Sequence, residues 1–175
     1  MSSTVVKRAL CALTIYLFCV TSGTAASFGS EQVTVVSSLY KDFAWQVFST
    51  TNDMFGKPLA HQDEKVLQRF FDQELTSLVV GDYRCTVKTR EICNLDFDPI
   101  FASQDPAASD LTIRPGTGNV VVVEFTYPSN REKIRLEYQM VKSGKHWRIG
   151  DIRYPGMADS SLKKLLKREI TQAGP

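Results

Sequence analysis

WRIGDIRYPG, residues 147–156, carries one fault in an otherwise alternating pattern, and that fault says what kind of sheet it belongs to. Trp147 and Ile149 share one face of an extended strand, whereas Ile152 and Tyr154 have the opposite parity. A bulge at Gly150-Asp151 lets all four point into a core, and a bulge bends the strand that carries it. The segment is therefore predicted as the last strand of a sheet that curls around an interior, stopped by Pro155-Gly156.

Working back from it, Ile134, Leu136, Tyr138 and Met140 alternate with Lys133, Arg135, Glu137 and Gln139, which gives a strand with one wet face. Before that, Val121, Val123, Phe125 and Tyr127 share a face, and the residues between them are largely apolar too. Pro128-Ser129-Asn130 and Ser143-Gly144-Lys145 are short turns, so the strands form an antiparallel meander. Residues 94–118 hold Pro99, Pro106 and Pro115 among Asp and Ser, and read as a long ordered loop. Earlier still, Val36, Leu39, Tyr40, Phe43 and Val47 make the stripe of a helix of about five turns. Phe55-Gly56-Lys57-Pro58 ends or interrupts it. A second helical region runs from about Asp63 to Val79, broken near Phe71. After the sheet, Ser160 is placed to cap a last helix with Leu162, Leu165, Leu166 and Ile170 on one side, while Lys163, Lys164, Lys167 and Arg168 form a solvated face. Helices first, strands next and a short helix last define an α+β fold: N-terminal helices packed on a curved antiparallel sheet of three or four strands.

The first 26 residues read as an export signal: Lys7-Arg8, the apolar run Ala9 to Val20, then Thr24-Ala25-Ala26 for cleavage. The run is too short to span a bilayer. Cys19 follows Tyr16-Leu17-Phe18, without the small residue a lipoprotein signal wants. Residues 27–175 are expected to form one domain in the periplasm, with secretion as the alternative. Two of the 21 Lys and Arg precede Ser27 and none of the 19 acids do, which leaves 19 of each. A zero balance makes no case for nucleic acid or an anionic membrane as partner. Cys85 and Cys93 remain, and export favours pairing them. On one continuous helix they would lie about 12 Å apart, so a disulfide requires a turn between them.

LDFDPIFASQD, residues 95–105, together with WRIGDIRYPG and the following SLKKLL, resembles a bacterial family of exported proteins of unknown function within the nuclear-transport-factor-2-like superfamily. Asp98-Pro99-Ile100, Gln104-Asp105, Trp147-Arg148-Ile149 and Ile152 carry the likeness. It implies a cone of helices over a curved sheet with a cavity at the wide end, and it implies, through related immunity proteins, inhibition of a cell-wall-degrading toxin.

Catalytic chemistry has little support from the residues. Asp96, Asp98, Asp105, Asp151 and Tyr154 are the acid–base candidates, and turn chemistry accounts for the aspartates. His61 and His146 sit in loop and strand-start sequence, no nucleophile signature or phosphate loop is present, and no metal or cofactor is expected. The chain is therefore expected to be a non-enzymatic binding protein for a protein partner, most concretely a secreted peptidoglycan-targeting toxin. The loop from Asp96 to Asp110, with Asp98, Gln104 and Asp105, would insert into the partner's cleft, and Trp45, off the stripe of its helix, would anchor the contact. The alternative is a small-ligand carrier or enzyme using a cavity near Trp147, Asp151 and Tyr154.

Overall fold

The computed structural model describes residues 25–48, 54–157 and 161–168, with side chains from residue 31 onward. Residues 1–24 of the expected export signal, and Ser160 and Ile170 of the final helix, lie outside them. Helix α1 (Ala25–Phe43) leads into a 3-10 turn at Ala44–Val47; α2 (Glu64–Leu67) and α3 (Gln73–Thr89) follow. Strands β1 (Ser109–Pro115), β2 (Val120–Thr126), β3 (Lys133–Ser143) and β4 (His146–Arg153) then precede α4 (Leu162–Leu166). The strands form one antiparallel sheet in the order β1-β2-β3-β4, which makes the fold α+β.

The bulge is where the broken alternation puts it. Gln139 pairs with Asp151 and Met140 with Ile149, leaving Gly150 unmatched in β4. Trp147, Ile149, Ile152 and Tyr154 are all buried as a result. Asp151 beside the bulge accepts from the amides of Ile152 and Lys163, both at 2.9 Å, so the bulge also anchors the start of α4. The cap of α4 is Ser161, whose Oγ accepts from Lys164 N. Its basic face is not simply solvated: Lys163 Nζ reaches Asp72 at 3.3 Å and Glu74 at 2.7 Å, and Lys167 joins Glu74. These bonds hold the Glu74 carboxyl down at about 2.

Val36, Leu39, Tyr40 and Phe43 bury the α1 stripe against β1, β2 and β4. Each large side chain buried there contributes about 1.5–3 kcal/mol. The regular helix ends at Phe43, well before the Gly-Pro signal at residues 56–58. The expected break near Phe71 has a physical cause. Phe70–Asp72 pairs alongside β4, with Ile149 N donating to Phe70 O at 2.8 Å and Asp72 N donating to Ile149 O at 2.9 Å. That pairing covers the backbone of an edge strand, which a continuous helix could not do. Asp72 then caps α3, its Oδ1 accepting from Leu75 N at 2.7 Å.

One element corrects the sequence reading. Residues 109–115, taken with the long loop, form edge strand β1. Two residues, Asp110 and Leu111, bulge opposite Phe125, and Asp110 takes φ 56, which erases the alternation. Only Ile113 of this strand packs on the core, so no apolar period marks it.

Candidate functional site

A cleft of about 380 Å³ opens between the 3-10 turn Leu59–His61, the second half of α3 and the segment from Leu95 to Pro106. Asp82 on α3 is buried and accepts from the amides of Asn94 at 2.9 Å and Leu95 at 3.3 Å. It thereby fixes the chain just after the disulfide. Arg90 ends α3 in the left-handed conformation at φ 61, turning the chain so that Cys85 and Cys93 pair with Cα atoms 6.2 Å apart. This is the reversal that the cysteine spacing demanded.

The opposite wall is pinned by tyrosines from α1 and from just past the ends of β2 and β4. Tyr154 donates to Pro99 O at 3.1 Å, Tyr40 to Ile100 O at 2.6 Å, and Tyr127 to Phe101 O at 2.6 Å and Ala102 O at 3.1 Å. Tyr40 spends its proton on Ile100, so the 2.9 Å contact with Tyr138 is a donation from Tyr138. Burial raises the pKa of Tyr40, Tyr138 and Tyr154, which keeps these donors protonated. Pro99, Ile100 and Phe101 are buried beneath them.

The middle of the loop from Asp96 to Asp110 is buried and tied down, and its exposed residues are Asp96, Gln104, Asp105 and Asp110. Its first part forms a wall of the cleft. Four of the sequence-predicted residues nevertheless meet there: Trp45, Asp96, Asp98 and Gln104 all line the cleft. Gln104 Nε2 donates to Asp96 Oδ2 at 3.2 Å. Trp45 is half-buried, stacked 5.6 Å from the Phe55 ring. Asp105 lies beside the cleft without lining it, its backbone bonded to Ser103.

Asp98 has the most distinctive environment. Its Oδ1 accepts from Ile100 N at 2.9 Å and Phe101 N at 3.1 Å, which makes it the turn-former the sequence suggests. Burial nonetheless pushes its carboxyl up to about 6, the two amide bonds opposing that rise. Across the cleft His61 stacks on Tyr83 at 4.5 Å, and desolvation with Lys57 nearby lowers its pKa. His61, Asp82 and Tyr83 were passed over as site residues. The last two lie on the part of α3 past Val79, where the sequence carries no apolar period to extend the helix.

Trp147, Asp151 and Tyr154 line no common cavity among the described residues. Tyr154 is core, Asp151 anchors α4, and Trp147 borders a separate shallow pocket with Glu31 and Arg148. Phe70, Phe71, Trp147 and Tyr154 together fill the space over β4. The charges on the outer sheet face pair with one another: Glu124 meets Arg114 and Arg135, each at 3.0 Å, and Arg135 meets Glu137 at 2.9 Å. Among the described residues no group of three or more His, Cys, Asp or Glu is placed to hold a metal ion, and no helix is long and apolar enough to cross a membrane. Compared with models of known protein families, with curated proteins and with solved structures, the chain matches none.

Proposed function

We propose that this chain is an exported binding protein that holds part of a partner in the cleft between α3 and the Leu95–Pro106 segment, without covalent chemistry. Its most concrete form is an immunity-type inhibitor of a secreted, cell-wall-targeting toxin, the role implied by the resemblance to exported nuclear-transport-factor-2-like proteins. The observation that carries the binding reading is the convergence of Trp45, Asp96, Asp98 and Gln104 on one cleft. The Cys85–Cys93 disulfide is in keeping with an oxidising compartment. Held rigid by tyrosine hydroxyls and a disulfide, the cleft loses little freedom on binding, which favours affinity. The test is capture from periplasmic extract and rival-strain secretions by tagged protein. Trp45→Ala and Tyr83→Ala should each abolish capture of a stoichiometric partner that Arg135→Ala, on the far sheet face, still captures. Equal capture by all three would place the contact elsewhere.

A second reading is a small-ligand carrier or enzyme. The raised carboxyl of Asp98 favours it, since a group near 6 in an open, mostly apolar cleft suits acid–base work. A small-molecule screen that yields ligands lost on Asp98→Asn, with no protein captured, would select it.

A further inference from the structure

The chemistry of the cleft says what kind of group fits it, given that it is the binding site. We infer that it receives a basic side chain, arginine foremost, carried on a peptide segment of the partner. Among the described residues, three carboxylates, Asp82, Asp96 and Asp98, line the cleft and no Lys or Arg does. Asp82 is occupied by the amides of residues 94 and 95, but Asp98 is largely buried with no cation paired to it among the described residues. Its Oδ1 holds the amides of Ile100 and Phe101, but a carboxylate so largely buried with no cation opposite it is costly, and an incoming cation offsets that cost. Aromatic side chains share the lining: Tyr83 stacked with His61, Trp45 and Phe97. A guanidinium meets both demands, because it lies flat on aromatic rings and donates in a fork to carboxylates.

One observation favours a peptide over a free amine. Ile92 on the lining is 66% exposed, and Phe55 and Phe48, 49% and 62% exposed, follow ring to ring from Trp45, an apolar margin suited to the residues flanking the basic one. Phe55 is continuous with the cleft through its stack on Trp45.

The experiment titrates the full chain with a capped Gly-Gly-Arg-Gly-Gly peptide, and with the same peptide carrying citrulline, followed by ¹H–¹⁵N NMR. The arginine peptide should shift the Trp45 indole and the amides of residues 95–104, and citrulline should bind at least about tenfold more weakly, as loss of a charge-assisted bond implies. Asp98→Asn and Asp96→Asn should each weaken the arginine peptide by a similar factor. Equal binding of the two peptides, shifts elsewhere, or no shift at millimolar peptide would overturn the inference. Thermal melts of both variants exclude misfolding as the cause. A captured partner that is lost on Tyr83→Ala but retained, at any salt, by both Asp variants leaves the cleft reading standing and removes this one. If no cleft variant alters capture, both fall.

Discussion

Asp98 shows how one residue serves a turn and a cleft at once. Its turn role is legible, because Asp before Pro99 commonly bonds the following amides. Its burial is not, since that depends on Tyr40 and Tyr154 arriving from distant parts of the chain. The folded state binds this proton more tightly than an unfolded carboxyl near 3.8, so stability falls as pH rises from about 4 to about 6. Asn at this position keeps an oxygen for the two amides and carries no charge. Asp98→Asn should therefore raise the unfolding free energy at pH 7.5 by about 1–3 kcal/mol and flatten the slope between pH 4 and 6. Melts over that range measure it, and a slope left intact would show that another group sets it. At Gly150 the constraint is steric. A Cβ there would sit 2.8 Å from Val141 Cγ1, so Gly150→Ala should destabilise by about 1–3 kcal/mol. Adding Val141→Ala should recover most of that loss in urea unfolding; no recovery would locate the strain in the backbone.

Among the elements, those with a strong apolar period were readable from the sequence: the stripe of α1, the alternation of β2 and β3, and the register fault in β4. Edge strand β1 was not, because its bulge at Asp110 and its exposed side chains leave no period to detect. The reach of α3 was also hidden. Past Val79 the exposed Arg84, Val87 and Lys88 outnumber buried residues, and what continues the helix is its packing on Leu59–His61 and α4. The Cys85–Cys93 link then fixes the turn that begins at Arg90, and with it Ile92 and Leu95 on the cleft wall. Replacing both cysteines with serine should cost about 2–3 kcal/mol by loop entropy. It should also weaken partner binding, read by denaturant titration and by affinity; a large stability loss with unchanged affinity would mean that this wall takes no part in binding.

For the molecule as a whole, the α+β class and the antiparallel meander followed from pattern alone. The site followed only in pieces. Trp45 and the Asp96–Gln104 group are far apart in sequence, and only the packed fold brings them together, joined by His61, Asp82 and Tyr83. With it the proposed mode of action changes, from a loop that enters a partner to a cleft that receives one. Hydrogen–deuterium exchange of the full chain with and without its captured partner bears on that change most directly. Protection should concentrate in residues 45–48, 54–61, 82–86 and 92–106, with the outer face of β1 to β3 unaffected. Protection confined to residues 109–143, with no change around the cleft, would contradict the account.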